Sequence, residues 1–250
     1  MGFADLRWSI LSGYGPLFLQ GLQMTLWLTA VSLIGGLALG IVLGLISSTT
    51  DSPPPRTRGA VLGWQLLRGA TRAYVGFFRG TPLFVQILLV HFALMPMLVQ
   101  PEGGLLLSGE AARAFRQHHG AFFSGALALT LNAGAYISEI LRAGIHSIHG
   151  GQTQAAYSVG LTHGQAMRYI VLPQGIRAMT PLLLNQVIIV FQDTSLVYVV
   201  ALRDFMTTAS VVASRDGRPT EMYTLVAVIY LAICFSLAKA VERLARRRAT

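Results

Sequence analysis

Long apolar runs separated by short polar segments dominate the chain, and this pattern predicts helices that cross a membrane. The first run is the clearest, because no charged residue occurs from Trp8 to Thr50. An α-helix rises about 1.5 Å per residue, so roughly 20 mainly apolar residues cross a bilayer. We therefore predict an all-α integral membrane protein with about five spans, near residues 17–46, 80–99, 120–141, 179–202 and 222–244.

Helix-breaking residues lie in the segments between these runs. They are Pro53-Pro54-Pro55 after the first run, Pro101 and Gly103-Gly104 after the second, and Gly150-Gly151 after the third. The charges of Asp5 and Arg7 cancel, so the N-terminus lacks the net positive charge of a signal peptide. The first uncharged run is also far longer than the apolar region of a signal peptide, so we expect this run to remain in the mature protein. The predicted organisation is an external segment 1–16, a transmembrane domain 17–244 and a basic tail 245–250.

Basic residues are distributed unevenly between the predicted loops. Of the 19 lysines and arginines, 13 fall on one side of the membrane and 6 on the other. This asymmetry predicts an external N-terminus and a cytoplasmic C-terminus. The net charge of +9 then reflects topology, with lipid headgroups as partners and no role in nucleic acid binding. A single cysteine, Cys234, argues against a disulfide framework and against a cysteine metal site.

One segment, about residues 150–175, is too polar for a span and too regular in pattern for a plain linker. Gln152–Val159 is compatible with a short helix that Gly160 would end. The small pair Ala155-Ala156 would let another surface approach this helix closely. Two interpretations follow from the local chemistry: a structured loop that packs on its own bundle, or a docking surface for a partner.

A second short helix is predicted directly after this glycine. Thr162 and Gln165 form the Thr-x-x-Gln signature of a capping box, which marks a helix N-terminus. We expect this helix to end near Leu172, because Pro173 does not readily continue a helix.

Several blocks of the sequence resemble permease subunits of ATP-binding-cassette (ABC) importers. Gln154-Ala155-Ala156, Gly160 and Ile170-Val171-Leu172-Pro173 resemble the "EAA…G………I.LP" cytoplasmic loop of that family, with Gln154 where a glutamate is usual. The blocks "FFRGTPLFVQ" (77–86), "AYISEILRAGIHSI" (135–148), "VLPQGIR" (171–177) and "FQDTSLVYV" (191–199) look like permeases for polar amino acids. The last block, with "SRDGRPTEM" (214–222), is most similar to glutamate/aspartate permease subunits.

The resemblance implies a type I ABC importer permease whose cytoplasmic loop carries a coupling helix. In that family this helix docks into a groove on the ATP-hydrolysing subunit. The coupling residues that it implies for this chain are Gln154, Ala155, Ala156, Gly160, Ile170, Leu172 and Pro173. The implied function is ATP-driven import of amino acids, with glutamate or aspartate as substrate, by alternating access in a bacterial inner membrane.

The resemblance also implies partners. They are two ABC ATPases, a second permease subunit that is either the same chain or a different one, and a periplasmic amino acid-binding protein. ATP hydrolysis is expected in a partner, because the only lysine, Lys239, has no glycine-rich phosphate loop around it. We therefore expect neither enzymatic activity nor a cofactor in this chain.

Other chemistries find little support in the sequence. His146 and His149, with Glu139 a few turns earlier, have a generic spacing, and His118-His119 lies in an outer linker, so we expect no metal site. No Gly-x-Ser-x-Gly or His-Glu-x-x-His motif supports a membrane enzyme. A self-contained ion-coupled carrier is the main alternative, but such carriers often contain several buried ionisable groups.

Asp193 is the one clearly intramembrane charge, inside the otherwise uncharged stretch 178–202. A charge at that depth is costly and by default suggests function. One interpretation is a carboxylate that caps a broken helix. The other is a place on the translocation path, together with Thr194 and Ser195.

Three glycines, Gly36, Gly40 and Gly44, recur at a spacing of four residues in the first span. Small residues at this spacing let two helices approach closely in lipid. The stripe is compatible with packing inside the subunit and with a subunit interface.

Overall fold

The computed structural model describes residues 11–48, 58–148 and 150–249, and within these ranges the regular structure is helical. Its α-helices are α1 (Leu11–Ser48), α2 (Arg58–Gly80), α3 (Leu83–Leu89), α4 (Met95–Leu98), α5 (Gly109–His146), α6 (Gly150–Ser158), α7 (His163–Ala166), α8 (Leu172–Asp193), α9 (Phe205–Asp216) and α10 (Pro219–Ala249). Two π-helical turns, Val90–Leu94 and Met167–Val171, and a 3-10 helix, Thr194–Val200, join some of them. The all-α prediction is confirmed.

Four helical stretches are long and apolar enough to cross a membrane. They are Gly13–Ser48, Gly109–His146, His163–Val200 and Pro219–Arg243. The pair Gly59–Gly80 and Leu83–Leu98 meets the same criterion only when its two helices are taken together. The described ranges thus hold four spans, or up to five if this pair counts as one, which agrees with the five predicted. Residues 1–10 of the predicted external segment, Pro53-Pro54-Pro55, and the side chains of the tail 245–250 lie outside the described residues.

Helix α2 was not expected from the sequence, which we interpreted as a linker between the first two runs. Its arginines interrupt the apolar residues, so no uncharged run of span length occurs. The buried residues Thr71 and Val75 and the half-buried Tyr74 and Phe78 nevertheless recur at helical spacing. The Tyr74 hydroxyl donates to the Leu131 carbonyl of α5 at 2.6 Å. Helix α2 is therefore an amphipathic element packed against α5.

The expected helix end near Leu172 is wrong. From His163 to Val200 the chain stays helical, passing from α7 through the π turn into α8. In the π turn the Leu172 N–H donates to Met167 O, five residues back. Pro173 is then the second residue of α8, where a helix needs no N–H donor and tolerates proline. The π turn accommodates the proline without ending the helix.

The described chain divides into two compact units. The first contains the described residues of 1–33, 83–129 and 188–239. One of its cores joins α1, α3, α5 and the 3-10 helix around Leu28, Ile87, Leu129 and Val197, which are at most 1% exposed. A second core joins α1, α9 and α10.

The second unit contains the described residues of 34–82, 130–187 and 240–250. Here the glycine stripe of α1 lies directly on α5. A Cβ built on Gly36 would lie 2.8 Å from Ala133 Cβ, and one on Gly44 would lie 2.9 Å from Leu141 Cβ. Real Cβ atoms do not approach other atoms this closely, so the stripe packs inside the subunit. The sequence left open whether the stripe packs inside the subunit or forms a subunit interface, and the structure shows packing inside the subunit.

Candidate functional site

Helix α6 ends at the glycine that the sequence indicated. The Gly160 N–H donates to Tyr157 O at 3.0 Å, and the Leu161 N–H donates to Ala156 O at 3.1 Å. These two bonds form a Schellman motif, which satisfies carbonyls at a helix C-terminus. Gly160 has φ of +85°, a conformation that side chains disfavour. The predicted helix and its glycine stop are both confirmed.

The predicted capping box at the start of α7 is also present. The Thr162 N–H donates to Gln165 Oε1 at 2.9 Å, and the Gln165 N–H donates to Thr162 Oγ1 at 3.4 Å. A further hydrogen bond, 2.8 Å long, joins the Tyr157 hydroxyl of α6 to His163 Nδ1 of α7. The Tyr157–His163 hydrogen bond therefore joins α6 to α7 across the bend.

Helix α6 presents one side to the protein and another to the surface. Ala156 is 4% exposed, whereas Gln154 and Ala155 are exposed. At Gly160 no described atom lies within 4 Å of the place where a Cβ would stand. The exposed positions of α6 thus include the small Ala155 and the amide of Gln154, together with Tyr157 and next to the open Gly160.

A cavity of about 360 Å³ lies beside α6. Its walls come from the ends of α1 and α5, from α6 and α7, and from the π turn that follows α7. Gln154, Tyr157 and Met167 are among the lining residues. The contact between α6 and the ends of the long helices is therefore incompletely filled.

The remaining candidates of this loop lie where α7 continues into α8. Ile170 and Leu172 are half-buried and Pro173 is exposed. The Ile170 carbonyl accepts a hydrogen bond from Gln174 Nε2 at 3.0 Å. These residues form the continuous helical path from the bend into α8, and the whole predicted loop set lies in the second unit.

Asp193, Thr194 and Ser195 lie in the first unit, at the junction of α8 and the 3-10 helix. The chain does not break there. The Asp193 side chain makes no capping hydrogen bond, and its backbone is right-handed helical. Thr194 is fully buried, and its hydroxyl donates to Phe191 O at 2.6 Å. The cap interpretation of Asp193 is therefore wrong.

The break comes later, and a different aspartate caps the next helix. Ala201 has φ of +56°, and α9 then begins after Asp204. The fully buried Asp204 carboxylate accepts from the Met206 N–H at 3.2 Å and from the Thr207 N–H at 2.8 Å. Burial raises the pKa of Asp204, while the hydrogen bonds from Thr207 and Met206 oppose this rise.

The sequence analysis left residues 203–221 as a segment between two predicted spans and missed both this cap and α9. An aspartate directly before an apolar residue is an N-cap signal that could have identified them.

Two of the sequence blocks meet in an ion cluster that the sequence analysis did not anticipate. Arg79 of α2 donates to Glu139 Oε2 of α5 at 3.0 Å. Arg142, one turn after Glu139, donates to Oε1 at 2.9 Å and to Oε2 at 3.0 Å. The guanidinium of Arg79 also lies 5.6 Å from the centre of the Tyr136 ring. We call these four residues the Arg79 cluster.

The structure also bears on the metal site that the sequence disfavoured. Glu139 belongs to the Arg79 cluster, and His149 lies outside the described residues. Within the described ranges, no group of three or more His, Cys, Asp or Glu side chains could hold a metal ion.

Comparison with known proteins identifies the family. Residues 59–250 match the model of the binding-protein-dependent transport system inner membrane component. The chain belongs to this family. It is a multi-pass inner membrane protein and a transport component rather than an enzyme. A binding protein and an ATPase are the partners that membership implies.

Relatives resemble the chain over almost its whole length. It is 38% identical over 245 residues to the glutamate/aspartate import permease protein GltK of Escherichia coli O6:H1, covering 98% of this chain and 99% of that protein. It is 33% identical over 241 residues to the glutamine transport system permease protein GlnP of Escherichia coli K12, covering 96% of each. The fold is similar to that in the crystal structure of an amino acid ABC transporter with histidines, with a TM-score of 0.78, 30% identity and coverage of 97% and 99%.

Proposed function

We propose that this permease subunit imports acidic amino acids, glutamate or aspartate, in an ATP-driven complex. Two ABC ATPases bind the cytoplasmic side, a periplasmic binding protein delivers the substrate, and a second permease subunit completes the path. The greater identity to a glutamate/aspartate permease, 38% against 33% for a glutamine permease, supports the acidic substrate. The cycle is alternating access driven by ATP binding and hydrolysis in the partners.

The orientation that we propose has the N-terminus outside and the C-terminus inside. It rests on the 13-to-6 distribution of basic residues. The loop 150–175 is then cytoplasmic, on the side where ATP is available.

We propose that the open side of α6 docks into a groove on the ATPase. The observation that supports this most directly is the pairing of a buried Ala156 with the exposed Gln154, Ala155 and Gly160 on one short, capped helix. Small residues let the backbone of α6 approach the partner closely, as in other helix-in-groove contacts. The uncharged Gln154 offers hydrogen bonds there instead of an ion pair.

The geometry also supports a route for the movement. The Tyr157–His163 hydrogen bond connects α6 to α7, and the Thr162 capping box fixes the start of α7. Since α7, the π turn and α8 form one helical path, a displacement of α6 would be passed to α8. The cavity beside α6 leaves space for such a displacement.

Asp193 is the residue that we propose for the translocation path. Its carboxylate is half-buried and caps no helix. A carboxylate in an otherwise apolar segment is costly unless it has a role. We propose that it attracts the ammonium group of the amino acid.

Reconstitution tests this function. The permease complex, with its ATPase and binding protein, would be placed in proteoliposomes, and uptake of labelled glutamate, aspartate, glutamine and arginine would be measured with ATP inside. We expect uptake of glutamate or aspartate to exceed that of the other two. Selective uptake of glutamine would contradict the acidic substrate, and uptake driven by an ion gradient without ATP would support a self-contained carrier instead.

A further inference from the structure

The Arg79 cluster contains more positive than negative charge. Among the described residues, Glu139 contacts two guanidiniums, those of Arg79 and Arg142. Helix α2 contains no Asp or Glu that could balance its arginines. The cluster therefore has a net charge of about +1 at the contact between α2 and α5.

The two arginines are not equivalent. Arg142 binds both oxygens of Glu139 through Nε and Nη2, which is the bidentate geometry of a complete arginine–carboxylate pair. Arg79 reaches only Oε2, through Nη1. The surplus positive charge therefore belongs mainly to Arg79.

The guanidinium of Arg79 is held in place while part of it stays accessible. One end is fixed by Glu139 and one face lies over the Tyr136 ring. Its side chain is still 43% exposed. A guanidinium has five N–H donors. Among the described residues, the guanidinium of Arg79 donates one hydrogen bond, to Glu139. An arginine oriented in this way presents a fork of donors that fits a carboxylate.

We infer that Arg79 is a carboxylate-binding residue of the permease, oriented by Glu139 and Tyr136, and that it contacts the acidic amino acid during translocation. This inference rests on the proposed function, because an acidic amino acid supplies the carboxylate. Arg142 neutralises Glu139, so that Glu139 orients Arg79 without repelling the substrate.

The experiment compares Arg79→Lys with Arg72→Lys in the reconstituted complex. Lysine keeps the charge but lacks the planar fork. Arg72 is an exposed arginine two turns earlier on the same helix, so it controls for charge and helix position. Glutamate uptake is measured with saturating loaded binding protein, and the stimulated ATPase rate and the midpoint of thermal unfolding are measured in parallel.

We expect Arg79→Lys to lower glutamate uptake per ATP hydrolysed by about tenfold or more, the scale of one charge-assisted hydrogen bond. The ATPase stimulation should stay within about twofold of wild type, and the thermal midpoint should stay within about a few degrees of it. Arg72→Lys should behave as wild type. Tyr136→Leu should also lower glutamate uptake. Tyr136→Phe keeps the ring, so its uptake should stay near that of wild type.

Three results would overturn the inference. Unchanged glutamate uptake in Arg79→Lys would remove Arg79 from substrate binding. Loss of ATPase stimulation together with uptake would show that the cluster only holds α2 and α5 together. A defect that disappears when phosphatidylglycerol is left out of the vesicles would assign the arginine to a lipid phosphate. A wild-type complex that takes up no acidic amino acid would instead refute the proposed substrate, and this inference with it.

Discussion

Gly40 of α1 lies so close to Ile137 of α5 that no side chain fits between them. A Cβ built on Gly40 would lie 2.5 Å from Ile137 Cγ2 and 3.1 Å from the Gly134 carbonyl oxygen. Both contacts lie inside the second unit. The close approach of two backbones in lipid favours van der Waals packing, which stabilises helix pairs where no hydrophobic effect acts between them.

Gly40→Ala should therefore destabilise the permease, because overpacking a filled contact typically costs about 1–3 kcal/mol. Thermal unfolding of the purified protein in one detergent would measure this loss. Gly63→Ala is the matched control, since nothing lies within 4 Å of its built Cβ on the exposed side of α2. Equal midpoints for the two variants would contradict the tight contact at Gly40.

Gly160→Asp should abolish transport while the protein still reaches the membrane. The aspartate places a side chain at φ of +85°, and it adds bulk and charge to the side of α6 that we propose to dock on the ATPase. Uptake, membrane content and the amount of ATPase that copurifies would be measured together. Gly164→Ala, in α7 with open space around it, should leave all three near wild type. Normal uptake in Gly160→Asp would remove this bend from coupling.

Asp193→Asn should reduce uptake of acidic amino acids by about tenfold or more, since a charge-assisted hydrogen bond is worth about 1.5–3 kcal/mol. The complex should still assemble, because the Asp193 carboxylate caps no helix. Uptake of labelled glutamate measures the loss of transport, and the amount of copurified ATPase shows whether the complex assembles. Near-normal glutamate uptake in Asp193→Asn would place this carboxylate off the translocation path.

Asp204 should respond differently, because its carboxylate does cap a helix. Asp204→Ala should lower stability by about 1–2 kcal/mol, whereas asparagine, an equally good cap, should not. Thermal unfolding of both variants separates these outcomes. Equal losses in Asp204→Ala and Asp204→Asn would show that the capping geometry is not what matters.

The stability of the wild type should also depend on pH through Asp204. Its pKa in the folded protein is raised by burial, so the folded state holds a proton that the unfolded state has already released. The stabilisation from the protonated Asp204 carboxyl group is fully present below the pKa that Asp204 has in the unfolded state. It is lost as the pH rises through the pKa that Asp204 has in the folded state. Asp204→Asn lacks this titration. The thermal midpoint of Asp204→Asn minus that of wild type should therefore be larger at pH 7 than at pH 4. A constant difference across this range would exclude a raised pKa.

Cysteine labelling tests the proposed orientation. In a Cys234→Ser background, a cysteine at Gly109 should react with an impermeant reagent added to intact cells, and one at Gly151 should react only after lysis. No described atom lies within 4 Å of the place where a Cβ would stand at either glycine, so the labelling depends on the side of the membrane. Labelling at 151 but not at 109 in intact cells would invert the topology.

The sequence by itself determined the fold class, the approximate number of spans and the local structure of residues 152–165. The physical reason is that these features depend on short-range rules. Apolar run length decides what crosses a bilayer, and the glycine stop at Gly160 and the Thr162 capping box are completed by residues within a few positions. Both local predictions are confirmed, because no distant contact competes with them.

Tertiary structure decided the features that depend on distant partners. Helix α2 is stabilised by contacts such as Tyr74 with Leu131, which no hydropathy window includes. The π turn before Pro173 let a helix continue where proline alone predicted an end. The meeting of Arg79 with Glu139, 60 positions apart, and the packing of Gly40 on Ile137 arise only when two helices are placed side by side. Sequence alone names such residues, but their roles depend on what folding brings into contact with them.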